Sequence, residues 1–262
     1  MSHPYILEAG QITMKFGGLT AVNKLSLKIL PGDLVGLIGP NGAGKTTAFN
    51  MLTGIYHPTE GEVRLLGENI SKLRPYQITK RGVARTFQNI RLFKEMTVLE
   101  NLLVAGQSTY QSGLISSILK TSQFKKNEEA LRNHCLELLK IFKLEKKSQF
   151  LSKNLPYGEQ RRLEIARAMA TSPQLLLLDE PAAGMNPQET KELTELIRFI
   201  RNHFKMAILL IEHDMGLVMD VCDRISVLDY GELIAYGNPK EIQNNPKVIE
   251  AYLGPKEEEK DL

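Results

Sequence analysis

G-P-N-G-A-G-K-T-T, residues Gly39 to Thr47, meets the phosphate-binding pattern G-x-x-x-x-G-K-[ST] at every specified position. Its flanks suit that chemistry. Leu34-Val35-Gly36-Leu37-Ile38 before it predicts a buried strand, and Lys45 to Leu52 after it holds no helix breaker and predicts a helix. Gly39, Gly42 and Gly44, with Pro40, Asn41 and Ala43 between them, let the loop curl so that successive backbone N–H groups point inward at phosphate oxygens. The helix start adds unpaired N–H donors and the positive end of its dipole. Lys45 would reach the outer phosphates. The hydroxyl of Thr46, with Thr47 next to it, would ligate Mg²⁺. A plain glycine-rich turn between strand and helix is the alternative, disfavoured because pattern and context agree.

The chain has 262 residues, enough for one large domain or two small ones. A chain of this size buries about 75% of its unfolded surface, so a proper core is available. A net charge of +3 is too mild to argue for a nucleic-acid partner or an anionic membrane surface. Cys135 and Cys222 lie in no C-x-x-C or Cys/His cluster, which argues against a disulfide scaffold or a zinc site and fits a reducing cytoplasm. Met1-Ser2-His3-Pro4 lacks the basic-then-apolar pattern of a targeting segment. Apolar runs such as Met206 to Ile211 are of strand length, far short of the ~20 residues that span a bilayer. Any role in transport would therefore need membrane-spanning partners.

From Ile6 to about Arg64, short apolar runs alternate with Gly, Pro and Asp. Leu25 to Ile29 alternates with period two and stops at Pro31-Gly32, and Glu62 to Leu66 stops at Gly67. These predict an antiparallel layer beside the nucleotide-binding strand. From about Asn89 to Arg162 helical spacing takes over: Val98, Leu99, Leu102, Leu103 and Gly106, then Leu131, Cys135, Leu138, Leu139 and Phe142. Between them a polar stretch carries one apolar patch, Leu114-Ile115 with Ile118-Leu119. Two readings stand: a helical core face with a surface connection, or an inserted helical subdomain whose outer face meets a partner. Continuous apolar runs return at Leu175 to Leu178, Ala207 to Ile211 and Ile225 to Leu228, as in parallel strands covered on both faces and separated by helices. Pro239 to Leu253 reads as short helices and Pro255 to Leu262 as a charged, frayed tail.

Four leucines, Leu175 to Leu178, run into Asp179-Glu180. Ligands in open parallel sheets bind at that end of the strands. Asp179 would hold Mg²⁺ through water, and Glu180 would face the attacking water as general base or orienter. Asp-Glu-Pro is also an ordinary way to leave a strand, but the phosphate loop tips the balance to function. His213 follows another strand, flanked by Glu212 and Asp214. It is either an ordinary surface or core histidine or a sensor of the terminal phosphate. Gln88 sits where the helical region begins, and its amide could touch metal or water.

The order of these motifs resembles the ATP-binding subunits of ABC transporters, over about Ile6 to Gly254. The phosphate loop, Gln88, the run Leu155-Pro156-Tyr157-Gly158-Glu159-Gln160, Asp179-Glu180 and His213 follow that family's sequence and approximate spacing. The run at Leu155 departs from the family's Leu-Ser-Gly-Gly-Gln at Pro156 and Tyr157. Its Tyr-Gly form, with Arg85 to Phe93, Glu180 to Pro187 and Ala251 to Gly254, is similar to the branch serving branched-chain amino-acid importers. The resemblance implies an α/β fold of the P-loop NTPase type, with a RecA-like parallel core, an antiparallel β subdomain and an inserted helical subdomain. One cassette over 6–254 would comprise 6–88 (antiparallel layer and phosphate-loop part of the core), 89–162 (helical), 163–236 (rest of the core) and 237–262 (C-terminal helices and tail). It further implies ATP and Mg²⁺ as ligands, with Phe16 stacked on adenine and Val22 beside the nucleotide. Thr46, Gln88 and Asp179 would serve the metal, and Lys45, Glu180 and His213 catalysis. Tyr157, Gly158 and Glu159 would reach the nucleotide of a second, identical or related cassette across a dimer. Two membrane permease subunits and, indirectly, a periplasmic binding protein would complete the system, with this chain on the cytoplasmic face of the membrane. The alternatives are another ABC system such as lipopolysaccharide export, or a nucleotide-gated regulatory module with weak hydrolysis.

Overall fold

Alternating and continuous apolar runs build two kinds of sheet. The computed structural model describes residues 4–107 and 122–253. The predicted patch at Leu114 to Leu119 and the tail from Pro255 lie outside the described residues. The chain divides into two compact units, one of residues up to Ile78 together with those from Ile197 onward, the other Thr79–Leu196.

In the first unit, β1 (Leu7–Phe16), β2 (Leu19–Ile29), β4 (Glu60–Leu65) and β5 (Glu68–Asn69) form an antiparallel sheet in the order β2-β1-β4-β5. The register pairs Leu7 with Ile29 and Ala9 with both Leu27 and Val63. Leu25, Leu27 and Ile29 are buried while Ser26 and Lys28 face water, as period two requires of a half-buried strand. A second set of strands is built on β3 (Leu34–Ile38). β3 runs parallel to β8 (Ala207–Ile211) and β9 (Arg224–Asp229), and β10 (Glu232–Gly237) returns antiparallel to β9. Every residue of β3 and β8 is buried. Helix α1 (Lys45–Leu52) packs Phe49 and Leu52 at 0% exposure, and the short α2 (Pro75–Thr79) buries Ile78.

In the second unit, β6 (Val83–Arg85) pairs in parallel with β7 (Leu175–Asp179), with Arg85 opposite Leu177. The helices are α3 (Val98–Gly106), α4 (Ser122–Ile141) and α5 (Tyr157–Met169). Thr97 and Glu100 close a reciprocal cap on α3. The predicted stripe Leu131, Cys135, Leu138, Leu139 and Phe142 is buried. A Cβ on Gly106 would strike the Leu131 side chain, so α3 needs a glycine there to approach α4. Helix α6 (Pro187–Phe204) carries the chain back into the first unit. After β8 come α7 (Met215–Val221), and at the C-terminal end α8 (Pro239–Gln243) and α9 (Pro246–Leu253). No helix of the described residues is long and apolar enough to cross a membrane.

Candidate functional site

In the first unit, the loop Gly39–Gly44 connects buried β3 to α1. Two glycines are required there for space. A Cβ on Gly39 would land on the Leu228 carbonyl oxygen. Gly44 caps α1 with φ +97°, and its Cβ would lie 2.5 Å from the Ala21 carbonyl oxygen and 3.2 Å from Val22 Cγ2. Val22 is fully buried and backs the loop. The turn at Tyr230-Gly231 braces it from another side, with Gly231 N–H donating to the Ala43 carbonyl at 3.0 Å. Lys45 is 6% exposed, and its Nζ donates to the carbonyls of Gly39 at 2.7 Å and Pro40 at 2.8 Å. The ammonium is thus held over the loop. Thr46 is exposed and Thr47 half-buried on the first turn of α1, whose N–H groups have no partner within the helix. Beside the loop opens a cavity of about 610 Å³, lined by Asn41, Gly42, Asp229, Tyr230, Lys247 and Glu250. Gly44→Ala is expected to cost about 1–3 kcal/mol of stability, since φ and the Ala21 carbonyl both oppose a side chain. Urea denaturation checks it.

Phe16 closes β1, 43% exposed, its ring edge-on to Tyr56 at 5.3 Å. A half-exposed aromatic is available for stacking. His213 stands exposed two residues beyond β8, its N–H donating to the buried Glu212 carboxylate at 3.0 Å. Asp214 caps α7 through the Leu217 N–H at 3.0 Å, a structural task.

In the second unit, Asp179 ends β7 at 4% exposure and pairs with Arg85 Nη2 at 2.7 Å. Glu180 follows with φ +46°, a left-handed backbone that glutamate seldom adopts. Gln88 Nε2 donates to Glu180 Oε2 at 2.7 Å. The strand-end carboxylate and the distant glutamine are therefore brought together. Helix α5 starts at Tyr157 with Pro156 as N-cap. Pro156 supplies no side-chain cap, but its missing N–H costs nothing, because the orphan donors are those of Tyr157, Gly158 and Glu159. A Cβ on Gly158 would come 2.8 Å from Glu189 Oε1, the far end of a side chain that can swing aside. Glu159 is held by Lys147 at 2.6 Å.

Sequence reasoning missed three partners. Arg85 lies on a three-residue strand, too short to show a pattern. Arg161 and Glu164 are buried charges on α5, and the only available signal was opposite charge at i, i+3.

The donors fit the ligands the motifs imply. The loop is a cradle that a side chain would fill. Thr46 in the first unit and Asp179 in the second are each a hard oxygen donor of the kind Mg²⁺ takes.

Comparison with known proteins bears on the family. Residues 22–183 match the ABC transporter family model, and residues 232–254 that of the branched-chain amino acid ATP-binding cassette transporter. The high-affinity branched-chain amino acid transport ATP-binding protein LivG of Escherichia coli K12 is 54% identical, over 97% of this chain and 99% of its own length. The ADP conformation of the ATP-binding cassette MJ1267 superposes with TM-score 0.83 at 31% identity, covering 96% of this chain and 99% of that one. A dimeric post-hydrolysis state of the cassette MJ0796, bound to ADP and Pi, gives TM-score 0.74 at 25% identity over 89% of this chain and 98% of that one. With its glycine cradle, its Asp179-Glu180 strand end and a family match over more than half its length, this chain belongs to the ATP-binding cassettes of ABC transporters.

Proposed function

We propose that this chain is the ATP-hydrolysing subunit of an importer of branched-chain amino acids. The observation that carries the catalytic half is the Gln88–Glu180 contact at 2.7 Å beside Asp179. The C-terminal match at residues 232–254 and the likeness to LivG support the cargo class over lipopolysaccharide export. A cytoplasmic motor subunit rarely touches cargo, which assigns selection of the substrate to the partners.

The loop N–H groups and Lys45 hold the phosphates of ATP. Thr46, Gln88 and Asp179 would bring oxygen ligands for Mg²⁺. Mg²⁺, when bound, neutralises charge on the transferred phosphoryl oxygens. For Asp179 to serve, the Arg85 guanidinium must release it. Glu180 accepts the proton of the attacking water, and Gln88 fixes the carboxylate. His213 would sense the terminal phosphate, and Phe16 would stack on adenine with Val22 behind the loop. Two cassettes, identical or related, work as a pair, which the dimeric relative supports. The N–H groups of Tyr157, Gly158 and Glu159 then meet the nucleotide of the other cassette. ATP favours the closed pair, and hydrolysis lets it open. Two permease subunits take up that motion, a periplasmic binding protein delivers cargo, and the chain sits peripherally on the cytoplasmic face.

Reconstitution tests this. Proteoliposomes holding the permease partners, this chain and the binding protein are expected to accumulate labelled leucine only with MgATP inside, in step with phosphate release. ATP-driven turnover with no dependence on branched-chain amino acids would remove the cargo assignment while leaving the ATPase intact.

A further inference from the structure

Arg161 and Glu164 are charged side chains at 0% and 1% exposure on α5. They pair at 2.8 Å, Nη1 to Oε2. A buried ion pair is weak evidence for stability, because desolvation offsets most of the attraction. Burial indeed pushes the Glu164 carboxyl above the ordinary glutamate range, against the pull of Arg161. What the pair does hold is one segment. Arg161 Nη1 donates to the Phe87 carbonyl and Nη2 to the Gln88 carbonyl, both at 2.7 Å. Glu164 Oε1 accepts from the Arg91 N–H at 3.1 Å. Gln88 is therefore fixed through its own backbone, and its side chain in turn fixes Glu180.

The same end of α5 is tied to the loop beyond Glu180. Tyr157 donates its hydroxyl proton to the Ala183 carbonyl at 2.8 Å, and Arg161 Nη2 lies 3.4 Å from that hydroxyl. Tyr157 stands where the resembling signature has glycine, and glycine has no side chain to make this tie. The link belongs to the Pro-Tyr-Gly form.

We propose that Arg161 and Tyr157 are positioning residues that fasten the N-terminal end of α5 to both segments flanking the catalytic carboxylates, so that the turn meeting a second cassette's nucleotide and the Gln88–Glu180 pair move as one body. Occupancy of one site then sets hydrolysis at the other. The proposal rests on the paired-cassette reading above.

Two variants test it. Tyr157→Phe removes one hydroxyl. Arg161→Gln with Glu164→Gln exchanges the ion pair for neutral amides of nearly equal size. In the full-length chain, affinity for a fluorescent ATP analogue with Mg²⁺ is expected to stay within about twofold of the parent. Meanwhile kcat falls about fivefold in the first variant and about tenfold or more in the second. The Hill coefficient for ATP falls to about 1 in both. Arg161→Lys, which keeps the charge and one donor direction, recovers part of kcat. Parental kcat and Hill coefficient in both variants overturn the proposal. So does a loss of ATP affinity that parallels kcat, since that marks a merely structural role. If the parent itself gives a Hill coefficient of about 1 and Glu180→Gln stays monomeric with MgATP, the paired reading fails, and the coupling with it.

Discussion

Glu180→Gln stops steady-state ATP turnover, with a fall of about 10²- to 10⁴-fold, while ATP binding is retained. The exchange is nearly isosteric. Gln88 Nε2 still finds an oxygen where it now finds Oε2 at 2.7 Å, and the left-handed backbone at φ +46° is as tolerable for glutamine as for glutamate. What disappears is the capacity to take a proton from water. A strained backbone persists only where its surroundings over-determine it, and such positions gather at catalytic sites. Strand β7 before it is fully buried, which fixes the point where the carboxylate emerges. With hydrolysis blocked and the nucleotide still bound, the closed pair should accumulate. Light scattering with MgATP is expected to report a dimer for the variant and a monomer–dimer mixture for the parent. Phosphate release near the parental rate would mean that another group activates the water.

The parts of this fold legible in the sequence are those where one pattern has one physical solution. Ala207 to Ile211 reads as a strand and forms β8 with the same ends, because a short apolar run that stops at Glu212 suits a strand covered on both faces. The phosphate loop is legible for a different reason: Gly39 and Gly44 are there because carbonyls at Leu228 and Ala21 leave no room for a side chain. Illegible residues are those whose meaning depends on a partner far along the chain. Arg85 reads as the end of nothing until Asp179, 94 residues later, supplies its carboxylate. Arg161 reads as a surface residue, since charged side chains are rarely buried unless paired. Its partners at Phe87 and Gln88 lie 74 and 73 residues before it. Tyr157 was legible as a departure from a glycine signature but not as a tie to Ala183, because side-chain reach is a property of the folded loop.

Lys45→Ala weakens ATP binding by about 10²- to 10³-fold, the usual consequence of deleting one side of a desolvated charge contact. Two effects of the deletion have to be separated. The ammonium is the charge the phosphates would meet. It also bonds the Gly39 and Pro40 carbonyls at 2.7 and 2.8 Å, so its removal loosens the loop that carries the N–H donors. Lys45→Met keeps the stem that is buried at the start of α1 and removes only the charge and these two bonds. If charge dominates, Met and Ala weaken binding equally, and the loss shrinks for ADP, whose missing terminal phosphate gives the lysine less to hold. If packing dominates, Met retains most of the affinity. Equilibrium binding of both nucleotides to both variants, with circular dichroism to confirm that each is folded, decides between them. Affinity unchanged in Ala as well as Met would mean that the curled loop of Gly39 to Gly44 does not receive phosphate at all, because no arrangement of its N–H groups alone would leave a buried ammonium beside the triphosphate without effect.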